Sequence, residues 1–203
     1  MTRPTTLSAL FTALALTVCV AHAQPASIDT RVEQLLQQMT LDEKIGQLTQ
    51  YSGDWNATGP QQFKGNHRDD ILAGKVGSML NVIGAEPTRA YQALAMQARL
   101  KVPLLFGQDV IHGYQTTFPI PLAEAASWDL PAIERSARIA ATEAASAGIH
   151  WTFAPMVDIA RDPRWGRVME GAGEDTFLGS KIAAARVRGF QGRQLGDTDA
   201  VMA

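Results

Sequence analysis

The sequence predicts an α/β fold built on a parallel sheet, and three observations carry that expectation. Short apolar runs alternate with longer segments whose apolar residues recur at helical spacing, the strand-helix-strand order of a parallel sheet. The helical segments are punctuated, with Pro131 at one start and Gly148, Gly189 and Gly192 at ends. The composition, 46% hydrophobic and 19% charged, belongs to a chain that can bury a core.

The opening segment reads as a leader and stands apart from that pattern. Arg3 supplies a positive charge, Leu7 to Val20 is an apolar run, and Ala21-His22-Ala23 has the small-x-small form of a signal-peptide cleavage site. The run is about 14 residues, short of the ~20 of a membrane-spanning helix. A signal peptide over residues 1–23, cut after Ala23, and a mature chain free of the membrane are therefore expected. The single cysteine, Cys19, falls inside the leader. A lipid-bearing role for it wants a small residue directly before it, where Val18 stands. The mature chain then offers no thiol for a disulfide, a metal site or nucleophilic catalysis.

Element by element, Ile28, Val32, Leu35, Leu36 and Met39 have helical spacing, and Thr40-Leu41-Asp42-Glu43 is a capping box opening a second helix. Tyr51 to His67 has no apolar period and reads as a surface loop. Val76 to Ile83 predicts a buried strand, and Thr88 to Leu100 a helix with Tyr91, Leu94, Ala95 and Ala98 on one side. A strand over Val102 to Gly107 starts with Pro103, where a missing donor is tolerated. Pro131 to Ala147 predicts an Ala-rich helix, Trp151 to Ile159 a strand and Phe177 to Phe190 a helix. Ala200 to Ala203 looks like one more strand beginning. Without the leader 180 residues remain, against ~250 for a complete (β/α)8 barrel.

Charge excludes some partners. The net charge of −2 becomes −3 without Arg3, and no Lys/Arg-rich face is visible, so nucleic acid is not expected. The histidines show no paired ligand spacing, so no metal is expected either.

Two segments fall just beyond strand ends, where α/β enzymes place their sites. In Gly107-Gln108-Asp109-Val110-Ile111-His112-Gly113, Asp109 either accepts hydrogen bonds from vicinal hydroxyls, as a sugar offers, or caps the next turn. His112 is expected to bond a loop carbonyl. Asp158 to Asp175 holds Arg161, Arg164 and Arg167 among the carboxylates Asp158, Asp162, Glu170, Glu174 and Asp175. That composition predicts ion pairs holding a long loop, with Trp165 and the glycines giving it a packed shape. Glu174 and Asp175 suit the N-terminus of the helix that follows. No G-x-G-x-x-G or G-K-[ST] phosphate loop is present.

The stretches LLFGQDVIHGYQTTFPIPLAEAASWD and FAPMVDIARDPRWGRVMEGAGEDTFL, with LLQQMTLDEKIGQL before them, closely resemble bacterial periplasmic members of glycoside hydrolase family 3. The resemblance runs from about Val32 to Met202. It implies an incomplete (β/α)8 TIM-type barrel, the N-terminal part only, over residues 24–203. It also implies β-glucosidase activity in the periplasm without a cofactor. Asp109 and Arg167 match the positions that bind the sugar. Arg161 and Arg164 match supporting positions, Glu170 one that orients Arg167, and His112 is supporting too.

The family's Lys-His pair falls in the segment that Ala200 to Ala203 begins, and its nucleophilic Asp and acid/base come later. No catalytic residue is therefore expected here. Retaining hydrolysis needs two carboxyl groups ~5–5.5 Å apart across the bond. This stretch alone is expected to be inactive without a C-terminal barrel half and an α/β sandwich domain of the same chain. Other expectations left open are β-xyloside or broader exo-β-glycoside preference, and a non-catalytic sugar-binding short form. The last leaves a sheet edge unsealed, an aggregation liability.

Overall fold

The computed structural model of the protein describes residues 27–53 and 67–203. The leader expected over residues 1–23, and most of the loop expected from Tyr51 to His67, lie outside the described residues. The chain divides into two units, Met1–Gln38 and Met39–Ala203. In the first, α1 (Ile28–Gln38) keeps its apolar positions Ile28, Val32 and Leu36 exposed.

The second unit opens with α2 (Leu41–Gln47), whose capping box is present: Glu43 N donates to Thr40 Oγ1, and Thr40 N to Glu43 Oε2. Then come β1 (Gln50–Ser52), α3 (His67–Leu72), β2 (Ser78–Leu80), α4 (Ala85–Ala95) and β3 (Leu105–Gln108). After these stand α5 (Pro121–Ala126), α6 (Leu130–Ser146), β4 (Trp151–Thr152) and α7 (Thr176–Gln191). The sheet is parallel throughout in the order β1-β2-β3-β4. Met202 extends it, bridging Trp151, with Met202 N donating to His150 O at 2.9 Å. Strands adjacent in the sheet in chain order, with helices between them, are the winding of a (β/α) barrel; this is the α/β architecture of its first part.

Several boundaries differ from the sequence reading, for identifiable reasons. Tyr51 and Ser52 belong to β1 rather than to a loop, and His67 opens α3. A three-residue strand is too short to show a period, and β1 is defined by pairing Gln50 with Ser78 and Ser52 with Leu80. The strand expected to reach Ile159 stops at Thr152, where Val110 N and Ala154 N turn to the Thr152 hydroxyl instead of continuing the ladder. Helix α5 was not foreseen; Pro121 supplies its first turn.

The core lies between the sheet and the helices. Leu104 and Phe106 are buried while Leu105 between them is 44% exposed, the period of a strand with one covered face. Met79, Phe106, Ile149 and Phe190 pack with an alanine stripe of α6: Ala137, Ala140, Ala141 and Ala144. The small side chains let α7 approach closely. A Cβ on Gly189 would stand 2.4 Å from Glu134 O and 2.6 Å from Ala137 Cβ.

That approach sets a prediction in which two effects oppose. Gly189→Ala gains about 1 kcal/mol of helix propensity, but prying apart packed helices costs about 1–3 kcal/mol. A net loss of stability is expected, read as a lower urea midpoint; an unchanged or higher midpoint would mean the helices part freely.

A second prediction concerns acid. Arg99, bonded to the Glu43 carboxylate, and the Thr40 N–H hold its pKa at about 2, below the ordinary 4.5. A depressed folded-state pKa stabilises fully above pH 4.5, and the contribution is lost as pH falls toward about 2. Glu43→Gln should therefore differ in stability from the parent at neutral pH and converge with it over that window. Urea titrations at a series of pH values check this.

Candidate functional site

Both segments singled out in the sequence leave the sheet at the C-terminal ends of neighbouring strands. Asp109 follows β3 directly, and Gln108 pairs in register with Thr152 of β4. Thr152, 1% exposed, ties the two together: its Oγ1 accepts from Val110 N at 3.2 Å and from Ala154 N at 3.3 Å. One buried hydroxyl thus sets the exit of both segments. Nothing in the sequence pattern marked it.

The segment after Asp109 is held at several points. His112 Nδ1 bonds the Phe118 carbonyl at 3.1 Å, and Phe118 N donates to His112 O at 2.8 Å. Glu143 of α6 accepts from Gln115 N and Thr116 N, both at 2.8 Å, and from Thr116 Oγ1 at 2.6 Å. These donors hold the Glu143 carboxyl below the usual carboxylate range. Gly113, at φ +122°, makes the turn possible, since a Cβ there would stand 1.8 Å from Thr116 O. Farther in, Arg186 of α7 donates through Nη2 to the Ile111 carbonyl and through Nη1 to Glu124 of α5 at 2.7 Å. Ser136 Oγ of α6 donates to the other Glu124 oxygen at 2.7 Å. Burial pushes the Arg186 guanidinium down from its ordinary value, while Glu124 pulls the other way. Arg186, Glu124 and Glu143 leave no signature in the sequence pattern, because they are polar residues inside helices with partners far along the chain.

The second segment closes on itself through Ala160 N and Gly173 O at 3.1 Å. Within it, 3-10 turns cover Pro163–Trp165 and Val168–Glu170. Its ion pairs are local. Asp162 pairs with Arg164, which keeps the Asp162 carboxyl low. Arg167 pairs with Glu170, its Nε 3.0 Å from Oε1 and Nη2 2.6 Å from Oε2. Glu170 raises the Arg167 pKa most, and the charges of Asp109 and Asp158 raise it further. Arg167, Asp109 and Asp158 therefore share one electrostatic neighbourhood.

Two expectations for this loop need correcting. Arg161 was expected to support it through an ion pair, but it is exposed and pairs with none of the described residues. Trp165 was expected to be packed, yet it is 43% exposed, on a turn that ends at Gly166 in the left-handed region. The exposure of Trp165 follows from this tight turn, which satisfies its backbone without folding the side chain inward. The helix α7 is capped by Asp175, whose carboxylate accepts from Leu178 N at 2.6 Å.

Among the described residues, no cluster of His, Cys, Asp and Glu is placed to hold a metal ion. No helix there is long and apolar enough to cross a membrane. An open cleft of about 530 Å³ lies at the opposite, N-terminal ends of the strands, among Pro103, Leu105, His150 and Met202. It contains neither Asp109 nor Arg167.

Comparison with known proteins bears on this arrangement. Residues 40–202 match the Glycosyl hydrolase family 3 N terminal domain. The chain is 44% identical to the periplasmic beta-glucosidase of Salmonella typhimurium over 88% of its own length and 23% of that protein's. It is 31% identical to a beta-xylosidase of Formosa agariphila, over 87% of this chain and 21% of that one. The crystal structure of a beta-glucosidase from Listeria innocua in complex with isofagomine superposes with a TM-score of 0.76 at 42% identity. That superposition covers 85% of this chain and 24% of the other. The chain thus spans about a quarter of the length of these relatives. With the parallel winding and the paired strand-end segments, these matches place the chain in glycoside hydrolase family 3, as a member that carries the family's N-terminal domain.

Proposed function

We propose that the whole protein is a retaining β-glucosidase of the periplasm, and that this domain binds the non-reducing glucosyl residue through Asp109 and Arg167. The carrying observation is that the segments bearing these two residues leave the C-terminal ends of the adjacent parallel strands β3 and β4, near enough for the Asp109 charge to act on Arg167. A carboxylate can accept from two sugar hydroxyls, and a guanidinium can donate to a third. Glu170 keeps the Arg167 fork in one orientation. Arg164 and His112 shape the two segments that present the pair. The nucleophile and the acid/base are assigned to parts of the protein outside these 203 residues, so this domain supplies binding and not bond cleavage. The leader over residues 1–23 and the domain over residues 24–203 complete this reading. Likeness to a periplasmic relative supports the compartment.

A β-xyloside preference is the second reading, favoured by the likeness to a beta-xylosidase. The higher identity to a beta-glucosidase, 44% against 31%, puts the glucoside first.

Hydrolysis of p-nitrophenyl β-D-glucoside should appear in the protein made from its complete reading frame and be absent from residues 24–203 alone. Turnover by the shorter form would overturn the assignment of roles. In the complete protein, Asp109→Asn and Arg167→Met should each lower kcat/KM by about ten- to a hundredfold, the range for a charged hydrogen bond to substrate. Glu170→Gln, acting through Arg167, should cost less. Faster hydrolysis of the p-nitrophenyl β-D-xyloside would select the second reading.

A further inference from the structure

Asp109 is exposed, and its carboxylate makes no hydrogen bond to the described residues; its position is inherited from the backbone on either side. Before it, Gln108 is fixed by the sheet. After it, Val110 N is fixed by Thr152 Oγ1, and the Ile111 carbonyl by Arg186 Nη2. Arg186 lies on α7, the helix that directly follows the loop bearing Arg167. Arg186 is 3% exposed, and its guanidinium is held by Glu124, which Ser136 holds in turn. A network for stability alone does not require this composition, because apolar residues of similar volume often do as well as a buried ion pair. What apolar residues cannot do is donate a hydrogen bond to the carbonyl two residues beyond Asp109.

We infer that Arg186 is a positioning residue for sugar binding: it sets the Asp109 carboxylate against Arg167 by linking the Asp109 segment to α7. The inference rests on the reading of Asp109 as a sugar ligand given above. A ligand side chain must sit within ~0.5 Å of its productive place, so loss of the link weakens the contacts that Asp109 makes and spares those made elsewhere. Arg186→Lys keeps a positive charge opposite Glu124, but a single ammonium cannot reproduce the planar fork that reaches both Glu124 and Ile111. The paired change Glu124→Met with Arg186→Met removes the link without leaving a buried charge alone, so it keeps a folded protein available.

The experiment uses the complete protein with p-nitrophenyl β-D-glucoside and its monodeoxy analogues, reading kcat and KM for each. For each hydroxyl, the ratio of parent to deoxy kcat/KM gives its contribution. Asp109→Asn should collapse one or two of these ratios from about tenfold or more toward one, which identifies the hydroxyls that Asp109 holds. Both Arg186 variants should collapse the same ratios to about two- to threefold and leave the others at parental values. A merely structural role lowers all rates together, through the folded fraction, without changing any ratio. Parental ratios in a folded Arg186 variant, beside collapsed ratios in Asp109→Asn, would overturn the positioning role alone. Parental ratios in Asp109→Asn itself would remove the sugar-ligand reading on which it rests.

Discussion

Arg186 and Glu124 meet where α5, α6 and α7 converge, with both side chains withdrawn from water. Two charges taken from solvent are tolerated only when their hydrogen-bonding capacity is used, and here much of it is. One Glu124 oxygen takes the guanidinium, the other takes Ser136 Oγ, and the second guanidinium nitrogen takes the Ile111 carbonyl. Removing one partner alone leaves a buried charge, a loss of about 3–5 kcal/mol. The constraint reaches further than the pair. It locks three helices to one another and to the strand-end segment that follows β3, so the shape of that segment depends on a helix more than 70 residues later.

Around this contact, the helices approach by giving up side-chain volume. The alanine stripe of α6 and Gly189 of α7 bring the two backbones together, and Phe106 and Phe190 fill the remaining space at 1% and 0% exposure. Such packing is sensitive to single methyl groups, since close-packed interiors have no slack to absorb them. The resulting rigidity fixes the framework from which the two strand-end segments leave the sheet. Loops carry the side chains, and the elements beneath them fix where the loops begin and end.

The loop with Arg161, Arg164 and Arg167 shows a different balance. Its ion pairs join residues two or three apart and are largely exposed. Exposed pairs of this kind contribute little to stability. Their effect is orientation: Arg167 is gripped by both oxygens of Glu170, while the charges of Asp109 and Asp158 also act on it.

Much of the fold was legible in the sequence because local physics dictates it. The capping box at Thr40, the helices of α6 and α7, the β3 strand and the parallel order all have short-range signatures in spacing and punctuation. So did the two segments, since charged residues gathered at strand ends are visible without a structure. The three-residue β1 and the early end of β4 were not legible, because pairing with a neighbouring strand defines them and leaves no period in the chain. Nor were Thr152, Glu143, Glu124 and Arg186, the polar groups that hold the Asp109 segment. Each lies 27 to 75 residues from at least one of its partners. The sequence by itself determined the α/β winding and the two charged segments that follow its strands. Only the tertiary structure decided what holds them there, because a buried hydrogen bond is specified by which groups meet in space and not by their spacing along the chain.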